Sequence, residues 1–268
     1  MYIRKISVIL GILLLAFALI GCGQAPGDTT RDLSAALKQA NSGTQGVLMK
    51  FAQGYPPQRL YDVNNFVSLI ELENKGNYDL LGGDCFLKLT GFDPNIIRGA
   101  DYVQSCGILG GKTEYNLDGG FNQIEYKSSN IFLPTGTYEY SPNLNLVLCY
   151  DYQTKASATV CIDPQMYQIV SEQKACQTRD VSLGGGQAAP VAVSYVGVDN
   201  VGDKAIFEIT VRNVGNGRVL SPYAPIASCG DAHFDYQDLN KVNFRVEMTG
   251  GSLISCTPSD YTVRLNDA

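Results

Sequence analysis

The residues best suited to chemistry lie in the segment Cys229–Asp235. His233 is the only histidine in the chain, which excludes zinc sites built from several histidines. Asp231, His233 and Asp235 would share one face of an extended segment, since side chains alternate along such a backbone. Two carboxylates and an imidazole can bind zinc or manganese, so these three residues are the candidate metal site. They are also the basis of one alternative function for the chain, that of a small metal-dependent enzyme. A solvated acidic loop beside a disulfide is the simpler interpretation, and we predict neither metal nor cofactor.

A second motif, Gly107–Thr113, nearly matches a phosphate-binding P-loop. Cys106 stands where that motif needs its first glycine, and residues 114–120 offer no helix whose amino end would hold a phosphate. The sequence also contains no Gly-x-Ser-x-Gly, calcium-loop or His-Glu-x-x-His pattern. We therefore predict no catalytic residues and no nucleotide.

Cysteine usage predicts a disulfide framework made in an oxidising compartment. The chain has eight cysteines, which is typical of exported rather than cytosolic proteins. If Cys22 carries a lipid, one of the others is left unpaired. The seven disulfide candidates are Cys85, Cys106, Cys149, Cys161, Cys176, Cys229 and Cys256.

Several pairings of these cysteines are open. Cys149 and Cys161 flank the predicted turn 152–155 almost symmetrically, so a hairpin would bring them within bridging reach. Cys176 competes for Cys161. The other pairings considered are Cys85 with Cys106 and Cys229 with Cys256. The unpaired cysteine is either buried or available to an intermolecular partner.

The amino terminus has the parts of an export signal. Arg4 and Lys5 precede the apolar run Ile6–Ile20, whose fifteen residues suit a secretion signal better than a permanent span of about 20 residues. The run ends in Leu-Ile-Gly-Cys, which resembles the lipobox of exported lipoproteins. That resemblance implies cleavage before Cys22, so we predict a signal peptide over 1–21 and a lipid on Cys22. The alternative is an ordinary signal peptide followed by a buried cysteine.

Charge limits the partners of the mature chain. Removal of residues 1–21 takes away two cations and no acid, so the net charge changes from −6 to −8. An acidic chain without a basic run disfavours nucleic acid and anionic lipid as partners. We expect contact with the membrane through the lipid on Cys22, at the extracellular face of the cell membrane.

Hydrophobic periodicity indicates an all-β chain that follows a tether. Residues 22–45 are small and polar and predict the tether, within which 30–41 has the spacing of a short helix. Beyond it apolar and polar residues alternate, and Asn, Gly, Pro and Asp separate the runs. The predicted strands are 47–51, 66–72, 85–89, 121–126, 144–152, 157–162, 191–198, 205–212, 242–248, 253–256 and 261–265.

The glycine run 184–186 followed by Pro190 predicts a linker between two series of strands. The expected parts are a β-sandwich over 46–183 with a long loop at 92–120, the linker 184–190 and an immunoglobulin-like domain over 191–268. The second series has about five strands, where such a domain usually has about seven. We therefore expect it to be incomplete and completed by a carboxyl-terminal strand donor or another partner. A minimal sandwich with one buried free cysteine is the alternative.

One pattern occurs in both series. Residues 70–77 and 209–216 each run as an alternating strand into Asn-x-Gly-Asn, where we expect the Asn side chain to bond the local backbone and the Gly to adopt a positive φ. This strand pattern resembles the immunoglobulin-like domains of prokaryotic surface proteins, including the cell-adhesion-related type of bacteria and archaea. With Gly91-Phe92-Asp93-Pro94, Cys161-Ile162-Asp163-Pro164 and residues 185–190, the chain is similar to archaeal surface lipoproteins. The resemblance implies tandem immunoglobulin-like sandwiches and a surface role, with no catalytic residue to carry over.

Two long loops, 92–120 and 217–240, are the candidate interaction surfaces, because loops of this length without regular structure are usually functional or disordered. Their tyrosines suit adaptable contact with protein or glycan, although the rings would equally serve as core or props. These tyrosines are Tyr102, Tyr115, Tyr223 and Tyr236. We therefore expect a non-catalytic, lipid-anchored structural or adhesive module. The alternative is a ligand-capture lipoprotein that serves a transporter. This alternative is disfavoured, because ligand-capture lipoproteins are usually larger two-lobed α/β chains, whereas this chain alternates with a period of two.

Overall fold

The computed structural model describes residues 33–62, 64–163, 165, 173–231 and 233–266. The predicted signal peptide and Cys22 lie outside these residues, as does the first part of the tether. Within these residues, one α-helix and several small antiparallel sheets make up the regular structure. The prediction of an all-β chain after the tether is therefore confirmed at the level of fold class. No helix in the described ranges is long and apolar enough to cross a membrane.

The helix and strands are short. Helix α1 (Leu33–Ala40) lies within the predicted span 30–41 and ends where the side chain and the backbone N–H of Asn41 both donate to Leu37 O. The strands are β1 (Val47–Phe51), β2 (Val67–Asn74), β3 (Cys85–Thr90), β4 (Ile97–Arg98), β5 (Val103–Ser105), β6 (Phe121–Lys127), β7 (Asn130–Ile131), β8 (Asn145–Tyr150), β9 (Val181–Ser182), β10 (Val191–Val201), β11 (Lys204–Asn213), β12 (Lys241–Asn243) and β13 (Thr262–Arg264).

Two three-stranded sheets of the first series share one hydrophobic core. Their strand orders are β1-β2-β6 and β5-β3-β8, and all pairs are antiparallel. Ile70 and Leu72 of β2 and Leu87 and Leu89 of β3 are fully buried, because alternation turns one face of each strand towards that core. The Tyr126 hydroxyl of β6 donates to Leu87 O at 2.6 Å, which gives this buried ring the partner it needs.

The second series forms a three-stranded sheet, β11-β10-β9, whose short edge strand β9 comes from before the predicted linker, and a two-stranded sheet, β12-β13. The long pair β10–β11 contains a bulge between Val193 and Tyr195. Predicted strand 242–248 is reduced to Lys241–Asn243, and 253–256 is not a strand. These two predictions overestimated the regular structure. A segment of alternating apolar and polar residues becomes a strand only where a neighbouring strand completes its backbone hydrogen bonds.

The predicted hairpin around residues 152–155 is wrong. Strand β8 pairs with β3 through Phe86 and Cys149 rather than with 157–162, and 157–162 is not a strand. The loop 92–120 is also more ordered than predicted, since it contains β4 and β5 and is joined to β3 by the Cys85–Cys106 disulfide.

The two Asn-x-Gly-Asn motifs have the same local hydrogen bonds. Asn74 Nδ2 donates to Tyr78 O at 2.7 Å and Asn74 Oδ1 accepts from Gly76 N at 3.0 Å. In the second series, Asn213 Nδ2 donates to Gly217 O at 2.8 Å and Asn213 Oδ1 accepts from Gly215 N at 3.2 Å. The predicted role of Asn is therefore confirmed in both series.

The predicted positive φ of the motif glycines is wrong, because neither Gly76 nor Gly215 is among the glycines with positive φ. These two positions are glycines because another residue lies close to the backbone there. A Cβ on Gly76 would collide with the Tyr152 hydroxyl, and one on Gly215 would lie 2.9 Å from Pro190 Cβ. Both positions thus lack room for any side chain.

The segment 184–190 is packed between the two series. Gly43 N donates to Gly185 O at 2.8 Å, and Ala188 and Ala189 are fully buried. The side chain of Gln187 exchanges two hydrogen bonds of 3.0 Å with the backbone of Val193. The segment is therefore held by hydrogen bonds to the tether residue Gly43 before it and to Val193 of β10 after it.

The burial of Asn74 generates a prediction about stability. Asn74 is fully buried and also donates to Leu109 O at 3.0 Å, whereas the bond from Asn213 to Gly217 is exposed. We expect Asn74→Ala to lower the free energy of unfolding by about 3 kcal/mol, because buried partners stay unsatisfied. The matched change Asn213→Ala should cost about 1 kcal/mol. Urea unfolding monitored by circular dichroism measures both, and equal losses would contradict the assignment.

Candidate functional site

The three candidate metal ligands, Asp231, His233 and Asp235, are not brought together as a metal site. The Asp231 carboxylate accepts from the Lys88 ammonium, whose side chain is only 12% exposed. The Asp235 carboxylate belongs to the cap of the short 3-10 helix Tyr236–Asp238, and His233 is exposed. Among the described residues, no group of three or more His, Cys, Asp or Glu is placed to hold a metal. A cation at Asp231 would have to displace the lysine charge that already neutralises it.

The disulfides resolve the open pairings. The bonds are Cys85–Cys106, Cys149–Cys229 and Cys161–Cys176, and Cys256 has a free thiol. The pairings Cys149–Cys161 and Cys229–Cys256 are therefore wrong. The cause is strand pairing, because β8 lies beside β3 and presents Cys149 to the turn that carries Cys229. Cys256 is half-buried, so the expectation of a buried free cysteine holds only in part.

The Cys149–Cys229 bond attaches the loop 217–240 to the first series. Cys229 is fully buried and follows the 3-10 helix Ile226–Ser228. The next residue, Gly230, has φ +81°, and a Cβ there would lie 3.0 Å from Lys88 Cδ. A glycine fits this position because it allows both the left-handed backbone and the close contact with the lysine stem.

Tyr152 joins the segment 184–190 to the turn after β2. Its hydroxyl donates to Ala188 O at 2.5 Å and accepts from the backbone N–H groups of Asn77 and Tyr78 at 2.9 and 3.3 Å. Burial raises the pKa of Tyr152 to about 12. This hydroxyl is therefore neutral, and its role is to join the backbone of the segment 184–190 to the backbone of the turn after β2.

The P-loop-like segment is also used for packing. Leu109 is fully buried and exchanges backbone hydrogen bonds with Leu80. Gly111 N donates to Asp79 Oδ1 at 2.6 Å, and Lys112 Nζ donates to Ser42 O at 3.2 Å. Burial lowers the pKa of Lys112. The lysine therefore fastens this segment to the backbone at Ser42, and the absence of a phosphate site stays a prediction.

An open cleft of about 310 Å³, here called the Lys75 cleft, lies among the described residues. It lies between the end of β2 and the start of β6. Its lining residues are Glu73, Lys75, Asp118, Gly119, Gly120 and Phe121. A side chain at Gly119, which has φ +78°, would collide with Asn74 O. The glycine therefore lets the turn lie against the end of β2 and form one wall of the cleft.

The Lys75 cleft combines charge with an exposed ring. Lys75 Nζ lies 2.5 Å from Glu73 Oε2, and the hydrogen bond from Lys75 keeps the pKa of Glu73 below its usual range. The Phe121 side chain is 56% exposed. Carboxylates accept hydrogen bonds from hydroxyl or amide groups, while an exposed aromatic face packs against the apolar side of a ligand. This arrangement suits binding without chemistry.

The four predicted contact tyrosines have different surroundings. Tyr115 is 75% exposed and belongs to the turn that leads to Asp118 of the cleft. The Tyr102 ring packs 5.3 Å from the Tyr126 ring, and Arg264 stacks 4.0 Å above the ring of Tyr236. The fourth, Tyr223, is exposed. Only Tyr115 lies in a segment that lines the cleft.

The Lys75 cleft was missed at the level of sequence, because its two halves lie about 45 residues apart and are joined by the pairing of β2 with β6. No protein-family model, curated protein or solved structure matches the chain. The resemblance to prokaryotic surface lipoproteins therefore stays a prediction.

Tyr152 generates a prediction about pH. Its pKa is raised from 10.0 to about 12 in the folded chain, so the folded state retains a proton that the unfolded state loses. This stabilisation is complete below about pH 10 and disappears as the pH rises through 12. We expect Tyr152→Phe to lower the free energy of unfolding by about 2 kcal/mol at pH 7, because three backbone partners lose the hydroxyl.

The same variant should lose less of its remaining stability between pH 10 and pH 12 than the parent does. Urea unfolding at several pH values measures this slope. Tyr138→Phe is the control, because the Tyr138 side chain is 97% exposed. An unchanged slope in Tyr152→Phe would contradict the assignment.

Proposed function

We propose that the chain is an exported, non-catalytic surface protein, held at the outer face of the cell membrane by a lipid on Cys22. The observation that carries this proposal is the set of three disulfides in the described residues, since such bonds persist in oxidising compartments. The basic, apolar and Gly-Cys parts of residues 1–22 support the same location and the anchor.

In the same proposal, the two strand series are tandem immunoglobulin-like sandwiches. The shared hydrogen bonds of Asn74 and Asn213 support a common origin for the two strands that carry them. The first series supports a sandwich, because its two sheets contribute to one core. The second series contributes the pair β10–β11 and the small pair β12–β13.

We further propose that the Lys75 cleft is the face that contacts a protein or a glycan. Its support is chemical. Glu73 and Asp118 accept hydrogen bonds, and Phe121 offers a flat apolar surface beside them. An open cleft with this lining suits the edge of an extended ligand better than a small molecule, which binding sites usually enclose.

The anchor is tested by intact mass of protein extracted from membranes. We expect the mass of residues 22–268 plus lipid. Alkylation before reduction should modify one thiol, that of Cys256, and alkylation after reduction should modify seven. Cys22→Ser is the control and should appear outside the membrane fraction with the same single reactive thiol. A chain that still begins at Met1, or an unlipidated Cys22, would contradict the anchor.

The cleft is tested by binding of the fluorescently labelled chain 23–268 to intact cells of its source. We expect saturable binding that Phe121→Ala and Tyr115→Ala each weaken about tenfold, a loss typical of an exposed aromatic contact. Tyr138→Ala is the control, because it removes an exposed ring outside the cleft. Periodate treatment of the cells abolishes a glycan contact, and protease treatment abolishes a protein contact. Equal binding by the Phe121 and Tyr138 variants would dismiss the cleft.

A further inference from the structure

We propose that β11 is a self-association edge, through which two copies of the chain join their β11-β10-β9 sheets into one continuous sheet. The two β11 strands run antiparallel about a two-fold axis at Thr210. The occupant of the edge is therefore a second copy of this chain. This inference depends on neither the lipid anchor nor the Lys75 cleft.

Strand β11 is the longest edge strand in the described ranges. The sheet order is β11-β10-β9, so one side of its ten residues pairs with β10. The opposite side faces no strand among the described residues. The other edge of this sheet is β9, with only two residues. A long free edge presents backbone N–H and C=O groups that another strand can satisfy.

The edge also lacks two of the features that block strand addition, a proline and a bulge. Residues 204–213 contain no proline, and the bulge of this sheet lies in β10 rather than in β11. Ile206 is 58% exposed and Ile209 is 41% exposed. A further strand would remove part of this apolar surface from water, which is favourable.

The charges along β11 favour a second copy as that strand. Lys204, Glu208 and Arg212 lie on one face with alternating sign, and none has an ion pair within the described residues. In the antiparallel arrangement about Thr210, Glu208 of each copy lies opposite Arg212 of the other, and the two Thr210 residues face each other. Opposite charges and threonine pairs directly across strands are favourable.

The same register matches the other face of the sheet. Ile209 of each copy lies opposite Val211 of the other, so apolar side chains continue across the junction. Seven residues, 207–213, pair with their counterparts within β11. The register is thus complementary on both faces.

Neighbouring registers fit less well. A two-fold axis at Glu208 would place Lys204 opposite Arg212, and like charges directly opposite are unfavourable. An axis at Ile206 would pair Lys204 with Glu208 but join only residues 204–208 of the strand. A register slid by a single residue would bring opposite faces together and is excluded by the alternation of side chains. A two-fold axis at Ile209 would keep the faces matched, but it would place Glu208 opposite Thr210 and Arg212 opposite Ile206, so neither charge would meet an opposite charge across the junction.

The register is tested by crosslinking of the purified full chain. In a Cys256→Ser background, which removes the free thiol, Thr210→Cys should form a disulfide-linked dimer under mild oxidation. Directly opposed Cβ atoms lie about 4.5–5.5 Å apart across strands, close enough for a disulfide after a small adjustment. Ile206→Cys is the matched control and should give little dimer. Non-reducing electrophoresis and mass spectrometry identify the products.

The charges are tested by sedimentation velocity of the detergent-extracted chain. Glu208→Arg should raise the dimer dissociation constant about tenfold or more, because two attractive pairs become repulsive. The double variant Glu208→Arg with Arg212→Glu should restore it close to the parent value. Lys204→Glu is the control and should leave it nearly unchanged, because Lys204 lies outside the paired residues 207–213.

Three outcomes overturn the proposal in chains whose circular dichroism shows them to be folded. The first is a monomer at all concentrations. The second is a dimer that Glu208→Arg does not weaken, or that Lys204→Glu weakens equally. The third is a crosslink at Ile206→Cys instead of Thr210→Cys, or a Thr210→Cys product that contains a different chain.

Discussion

The hydroxyl of Tyr152 is the side-chain contact that ties the segment leading into the second strand series to the first series. It connects the carbonyl of Ala188 in the segment 184–190 to the backbone N–H groups of Asn77 and Tyr78 in the turn after β2. Buried backbone groups need partners, and this one side chain supplies three of them. Gly76 is a glycine for the same reason, since a side chain there would occupy the position of the hydroxyl. The turn at residues 74–77 and the segment 184–190 thus both depend on the position of the Tyr152 hydroxyl.

Much of the strand structure could be predicted from sequence, because alternation is a local property. The starts of β1, β3 and β6 and most of β2 follow from the period of two alone. The bonds that the motif residues Asn74 and Asn213 have in common were predictable for the same reason, since they reach only two to four residues along the chain. The role of the glycine was not predictable, because it is set by Tyr152, which lies 76 residues away.

The disulfides show the same division between local and distant information. Cys85 and Cys106 were paired correctly because a loop leads from one to the other. Cys149 was assigned to a hairpin partner, although its strand pairs with β3 and its sulfur reaches Cys229. The partner of Asp231 was beyond local prediction in a similar way, since it is Lys88, 143 residues away. The Lys75 cleft likewise depends on the pairing of β2 with β6.

The Cys149–Cys229 bond has a consequence for the making of the protein. Its two cysteines are 80 residues apart, and both Cys161 and Cys176 lie between them in the chain. A chain that enters an oxidising compartment with its amino end first offers Cys149 two other thiols before its native partner arrives. Disulfides rearrange by attack of a thiolate on an existing bond, so a premature Cys149–Cys161 bond has to be exchanged before β8 can be joined to the loop 217–240. Production of the correctly bonded chain therefore calls for a redox environment that permits disulfide exchange as well as oxidation.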